Sequence, residues 1–311
     1  MFEGQNKLTS MLPLPESARI RVEPQLAKAL RGAARTLPRH ESKDLYSLDL
    51  QAVIQDSVRQ GAAEGYDRLV GEIREVLGRP PYTALVSNLE FDDNHGVFVA
   101  INRAFGNLVS GPYQPPRAQL VHYIQPSTDI SSTRNTVTES ERLHTDSADW
   151  PDPVEFVSMV CVRPDSAGGG RSRILTAGGF REDVEQRFGA HTIERLESQS
   201  VPWRLADYHG SGVIWAPVLK SGTLRWRRYT IEAALNKDGV SLPKEMLELL
   251  DEVDSAIMES PYVIEFLLQE GDFLITDNHR TLHSRTALLG NYQTSGRLMI
   301  RSWVSSGNRS N

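Results

Sequence analysis

One cysteine, Cys161, is the only thiol in the 311-residue chain. It has no partner for an internal disulfide, so the sequence offers no oxidised scaffold. Long hydrophobic runs are missing as well: no stretch reaches the roughly 18 apolar residues of a membrane-spanning helix. The opening residues MFEGQNKLTSMLPLPESARIR lack the continuous apolar segment of a secretory signal, and a reducing, cytoplasmic setting is expected. Nor is there a surplus of positive charge. Lys and Arg number 34 against 40 Asp and Glu, a formal net charge of −6, which gives no basic face for nucleic-acid phosphates or an acidic membrane. A small-molecule substrate is the expected partner, with no nucleic acid and no membrane, and a homo-oligomer is left open. At 39% hydrophobic content the chain can bury a large core, and one domain over residues 1–311 is expected.

Periodicity divides the chain. Residues 1–80 are expected to be an N-terminal helical region. PQLAKALRGAARTL suits an outer helix, and between Leu48 and Leu77 the residues Ala52, Val53, Val58, Ala62, Leu69, Val70, Ile73, Val76 and Leu77 recur at helical spacing before Gly78 and Pro80-Pro81. Residues 82–180 and 261–304 are expected to be a β core. The runs TALVSNL, GVFVAI and QLVHYI look like strands between turn-formers such as DDNHG and SGPYQPP, YVIEFLLQEGDFLITD suits a hairpin turning at Glu270-Gly271, and GRLMIRSWV is the last strand. Residues 181–260 are expected to be a helical insert: REDVEQRFGAHTIERLES reads as helix, and Met246, Leu250, Val253 and Ile257 share one helical face. Within it, Trp226, Arg228 and Tyr229 of LRWRRYT suit either a pocket wall or a solvated basic strand. Residues 305–311, SSGNRSN, are expected to be a flexible tail.

Chemistry concentrates in three places. In Leu143-His144-Thr145-Asp146, residues two apart on an extended strand point the same way, so His144 and Asp146 project together with Thr145 turned away. An imidazole and a carboxylate on one face are two ligands for a divalent metal. A second histidine would complete a 2-His-1-carboxylate set, which leaves positions of an octahedral iron open for a cosubstrate and O₂. Taken alone, His-x-Asp also fits a hydrogen-bonded surface pair. The second place is GDFLITDNHRTLHSRTALL, where His283 follows the turn-formers Asp277 and Asn278. His279 and His283 are four apart and would suit zinc on a helix, but Arg280 stands where a zinc protease needs its glutamate. Further on, Arg297, Met299, Arg301 and Trp303 share one face of an apolar strand. A guanidinium facing a sheet interior needs an anion, and its planar fork suits a carboxylate. The alternative is a solvated edge with soluble arginines. The third place is Ala167-Gly168-Gly169-Gly170-Arg171-Ser172, where glycines allow close backbone approach to a ligand and Ser172 offers a hydroxyl, or where two strands are simply connected. His40, His95, His122, His191 and His209 have no partner at ligand spacing and receive no role.

From about Leu120 to Val304 these motifs resemble the taurine dioxygenase-like and clavaminate synthase-like 2-oxoglutarate-dependent oxygenases. The resemblance implies a double-stranded β-helix, a jelly-roll core that is mainly β with flanking helices. It implies Fe(II) held by His144, Asp146 and His283, with 2-oxoglutarate and O₂ as cosubstrates. Gly169-Gly170-Arg171-Ser172 matches the family's GGxT/S element, so Ser172 would help Arg297 hold the distal carboxylate of 2-oxoglutarate. Arg301 matches a residue that contacts either the keto-acid end of the cosubstrate or an anionic group of the substrate. The spacing from His283 to the arginines is closer to that of the clavaminate synthase-like branch, although that branch usually carries Glu where this chain has Asp146. The implied reaction is oxidation, by default hydroxylation, of a C–H bond in a small, anionic or amino-acid-like substrate with release of succinate and CO₂. Desaturation and cyclisation are also open to the family. Two other classes are weighed against it: a non-oxidative metal-dependent β-sandwich enzyme, and a catalytically silent anion-binding protein.

Overall fold

The computed structural model describes residues 11–40, 44–110, 120–125, 141–205, 212–290 and 296–306. The N-terminal part runs β1 (Arg19–Arg21), α1 (Pro24–Arg35), α2 (Leu48–Gly61) and α3 (Ala63–Leu77). The first half of the β core is β2 (Thr83–Ser87), α4 (Gly96–Arg103), β3 (Asn107–Val109), β4 (His122–Ile124), β5 (Phe156–Arg163) and β6 (Ser172–Thr176). Then come α5 (Ala177–Phe188), α6 (Ala190–Ser198), β7 (Ser200–Arg204), β8 (Val213–Pro217), β9 (Leu219–Lys220), β10 (Thr223–Leu224), α7 (Arg228–Lys237) and α8 (Lys244–Glu259). The chain closes with β11 (Ile264–Phe266), β12 (Phe273–Asp277), β13 (Thr281–Arg285) and β14 (Leu298–Ser305).

Two sheets form a jelly roll. The major sheet has the order β1-β2-β12-β5-β14-β3, with β4 also on β14, and the minor sheet has the order β11-β6-β13. The large hydrophobic cluster joins helices α1–α4 to the major sheet and takes in Ile174 and Phe266 of the minor one. A second cluster lies on the other side of the minor sheet, where Leu175 and Leu282 meet Trp203, Trp226, Leu250, Val253 and Ile257 from residues 177–259. Among the described residues, no helix is long and apolar enough to cross a membrane.

The helices expected before residue 80 are present, with Ser47 capping α2 by accepting from the Leu50 N–H and Gly78 closing α3. GVFVAI, expected as a strand, is instead the helix α4. Its residues Gly96 to Asn102 are all buried, so no polar face reveals a helical period. The cap lies in what reads as a turn, since the Asp92 carboxylate accepts from the N–H groups of Gly96 and Val97 at 2.9 Å each, an arrangement that satisfies orphan helix donors. The hairpin expected at Glu270-Gly271 is also absent. Gly271 does turn the chain, at φ +83°, but β11 pairs with β6 and β12 pairs with β2 and β5, so the turn carries the chain from the minor sheet to the major one.

Residues 181–260 are helical as expected, with Met246, Leu250, Val253 and Ile257 buried together on α8, but they also contain two small two-stranded sheets, β7-β8 and β9-β10. LRWRRYT is not a solvated strand: Trp226 is fully buried, and Arg228 opens α7 and pairs with Asp251 at 2.6 Å. Of the expected tail, Ser305 ends β14 and Ser306 donates to the Glu155 carboxylate, while residues 307–311 lie outside the described residues, as do His209 and most of the polar stretch before Leu143.

Candidate metal centre

His144 and His283 meet because the backbone joins them. The His144 N–H donates to the His283 carbonyl at 3.0 Å, and the His283 N–H donates to the His144 carbonyl at 2.9 Å. Such a reciprocal antiparallel pair places both side chains on the same face, and the two imidazole centroids lie 4.7 Å apart. Thr145 turns to the other side, as strand alternation requires, and Asp146 comes back to the histidines. Its Oδ1 lies 3.4 Å from His144 Nε2 and its Oδ2 lies 3.7 Å from His283 Nε2. One ligand atom from each of the three falls within 4.8 Å of the others, and among the described residues no other three His, Cys, Asp or Glu side chains gather in this way.

The protonation states suit a metal. Burial lowers the His144 pKa, which keeps the ring neutral. Its Nδ1–H donates to the Arg142 carbonyl at 2.8 Å, fixing the tautomer that leaves Nε2 as the free donor. Burial pushes the Asp146 carboxyl upward, but the Arg301 guanidinium beside it outweighs this and holds the group well below the ordinary carboxylate range. A neutral imidazole and an ionised carboxylate are the forms that bind a cation. Two nitrogens and one oxygen on one side of a site are the donor set for a non-haem iron(II) with open positions. His279 stands apart, with its Nε2–H donating to the Pro153 carbonyl at 2.9 Å, so the four-residue histidine pair makes no zinc site.

Two residues given no role by the sequence hold this centre, and a third lies beside it. The Asn278 side chain brackets the backbone of Asp146, accepting from its N–H at 2.9 Å and donating to its carbonyl at 3.0 Å, with a further bond to the Val154 carbonyl at 2.8 Å. The Trp303 indole N–H donates to Asp146 Oδ2 at 2.8 Å. His122 lies opposite Arg301 across the β4–β14 ladder, with its ring 5.2 Å from that of Trp303. Burial and then Arg301 bring its pKa down to about 4, so it is neutral.

The arginines are not on a solvated edge. Met299, Ile300, Ser302, Trp303 and Val304 are all buried, so both faces of β14 are covered. Arg301 donates to Asp146 Oδ2 at 3.2 Å, and its guanidinium lies 4.7 Å from the centre of the Trp303 ring. Arg297, just before β14, is 6% exposed, and burial together with neighbouring Arg285 lowers its pKa to about 10. The glycine-rich loop packs against it. Gly170 has φ +65°, and a Cβ there would lie 2.9 Å from Arg297 Nε and 2.8 Å from Leu288 Cδ2, so a larger residue would be strained and would push on Arg297. Ser172, buried, opens β6 opposite Arg285. The structure thus gathers the triad with Arg301, and sets Arg297 beside the loop that leads into Ser172.

No curated protein matches the chain by sequence. The profile of the family described as "Taurine catabolism dioxygenase TauD, TfdA family" matches residues 180–303, a span that holds His283, Arg297 and Arg301 and starts later than the Leu120 at which the sequence resemblance begins. Among solved structures, asparagine oxygenase in complex with Fe(II), 2S,3S-3-hydroxyasparagine and succinate is similar with a TM-score of 0.74 and 16% identity, over 93% of this chain and 94% of that one. The non-heme iron oxygenase OrfP in complex with Fe and alpha-ketoglutaric acid has a TM-score of 0.67 and 16% identity over 93% of each chain. OrfP in complex with Fe and L-Arg has a TM-score of 0.66 and 16% identity over 93% and 94%. The chain thus shares the fold of these iron oxygenase structures, and its residues 180–303 resemble the TauD, TfdA family.

Replacing Asn278 by Ala strips Asp146 of its backbone bracket and leaves buried groups unpaired, at about 1–3 kcal/mol each. The Asn278→Ala protein is expected to melt earlier and to bind Fe(II) about 10-fold more weakly, in line with the usual cost of removing a ligand's supporting partner. Anaerobic iron titration alongside a thermal melt checks this, and unchanged iron affinity would take Asn278 out of the centre.

Proposed function

We propose that the protein hydroxylates a C–H bond of a small, anionic or amino-acid-like substrate, using Fe(II), 2-oxoglutarate and O₂ and releasing succinate and CO₂, and that residues 1–311 act as one unit around this site. The observation that carries the reading is a two-histidine, one-carboxylate group on the same fold as a buried arginine seated against a glycine-rich loop. Those are the separate needs of an iron and of a dicarboxylate cosubstrate. Iron bound there would supply the activation of O₂. His144, Asp146 and His283 hold the metal, and the Asn278 and Trp303 contacts keep Asp146 in place. Arg297 and Ser172 bind the far carboxylate of 2-oxoglutarate. Arg301, already at the triad's edge, binds an anionic group of the substrate. The neighbours support this substrate class, since one holds hydroxyasparagine and another L-Arg. The protein's work is to fix the relative positions of these groups and exclude water, which is where such a site gains its rate.

Anaerobic addition of Fe(II) and 2-oxoglutarate is expected to give the weak visible charge-transfer band of the chelate. His144→Ala, Asp146→Ala and His283→Ala should each lose the band, iron retention and turnover, while His279→Ala keeps its iron. Full activity in any of the three would end the triad assignment.

Arg297→Ala is expected to raise the Michaelis constant for 2-oxoglutarate with iron binding nearly intact. Removing a charge-assisted hydrogen bond from a desolvated site costs about 2–5 kcal/mol, roughly 30-fold or more in affinity. Ser172→Ala should act in the same direction by about 0.5–1.5 kcal/mol. An unchanged constant in Arg297→Ala refutes the clamp.

With a panel of L-amino acids and other small anions as probes, Arg301→Ala should lose substrate-stimulated succinate formation but keep the slow substrate-independent conversion. If both fall together, Arg301 serves the keto-acid end of the cosubstrate instead. No change in either rejects both roles.

A further inference from the structure

Thr145 stands between two of the three triad residues and is completely buried. It faces away from the metal side, into the segment that joins β10 to α7, and its bonding groups there are engaged. Its N–H donates to the Trp226 carbonyl at 2.7 Å. Its Oγ1 donates to the Leu224 carbonyl and accepts from the Trp226 N–H, both at 3.1 Å. Those carbonyl and amide groups belong to the 181–260 segment, far in sequence from the triad. That segment has a second hold on the same stretch. The Trp226 indole N–H donates to Asp254 Oδ1 on α8 at 3.3 Å, and Asp254 forms an ion pair with Arg142, whose carbonyl receives the Nδ1–H of His144. The residues on both sides of His144 are thus tied to one segment, in part through the same α8 carboxylate.

Because successive strand residues alternate sides, fixing the middle residue of three fixes the directions of both neighbours. We propose that Thr145 is a positioning residue of the metal centre, and that Leu224, Trp226 and Asp254 of the 181–260 segment, acting through Thr145 and Arg142, set the affinity for iron. The inference rests on the triad binding iron, and it assigns to the insert a task other than lining a substrate pocket.

Thr145→Val keeps shape and branching while removing the hydroxyl, and so leaves the Leu224 carbonyl and the Trp226 N–H without their side-chain partner. Thr145→Ser keeps the hydroxyl and removes a methyl. Wild type, both variants and His283→Ala are compared by apo-protein melting and by anaerobic Fe(II) titration against a chromophoric chelator. The expected result is iron affinity about 10-fold weaker in folded Thr145→Val, the scale of loss when a metal ligand's support is removed, with Thr145→Ser within about threefold of wild type on the same scale and His283→Ala binding none. Thr145→Val that melts earlier but binds iron like wild type overturns the proposal, because its bonds then serve the fold alone. Thr145→Ser as weak as Thr145→Val also overturns it. Wild-type affinity in His283→Ala brings down the triad reading itself, and the proposal with it. Should Thr145→Val fail to fold, Asp254→Asn carries the test, since it weakens the tie to Arg142 while keeping an acceptor for Trp226. Weaker iron binding there supports the proposal and unchanged binding overturns it.

Discussion

The pair of backbone hydrogen bonds between His144 and His283 is the constraint on which the site depends. It joins residues 139 positions apart in the chain and sets the two imidazoles side by side. It also extends the minor sheet by a single bridge beyond β13, so the first ligand segment is held as a rudimentary fourth strand. A lone bridge has little strength of its own. The remaining hold comes from what surrounds it: Leu143 and Leu282 buried with the 181–260 segment on one side, and Asn278 gripping Asp146 on the other.

Asp146 gathers the electrostatics of the centre. Its carboxylate is almost fully buried, a state that is costly unless charge and donors surround it. Arg301 and the Trp303 indole supply both from β14 of the major sheet, while the histidines belong to the minor one. The charge that a bound cation needs is therefore stabilised before the cation arrives, at the cost of placing a second positive charge, Arg301, next to the metal position. An anionic ligand there would offset Arg301 while Asp146 turned to the metal.

What the sequence revealed, and what it hid, follows from where the information resides. His144, Asp146, His283, Arg297 and Arg301 stand out in the sequence because metal and anion chemistry restrict residue types, and strand alternation foretells the gathering of the first three with Arg301. Trp303 was placed on the correct face but not assigned its bond to Asp146, since a tryptophan in an apolar strand reads as packing. Asn278 looked like a turn-former, and it is one; its grip on Asp146 crosses 132 positions and leaves no local pattern. His122 has no spacing relation to the other histidines, and only the β4–β14 register brings it opposite Arg301. The helix α4 was misread for a different reason. A helix buried on every side shows no period, and its apolar run is indistinguishable from a strand until the Asp92 cap is seen.

The division of the site between two sheets has a mechanical meaning. His283 lies on β13 of the minor sheet, and Arg297 stands just before β14 of the major one. A dicarboxylate reaching from the metal to Arg297 would be a cross-brace between the two layers, with the metal as one bolt and the guanidinium as the other. On the proposed reading, the spacing of the two layers would then bear on the length of diacid that fits, since the packed core holds that spacing. Such a brace would tie cosubstrate occupancy to the rigidity of the jelly roll, since whatever binds across both layers favours the state in which they stand at that spacing.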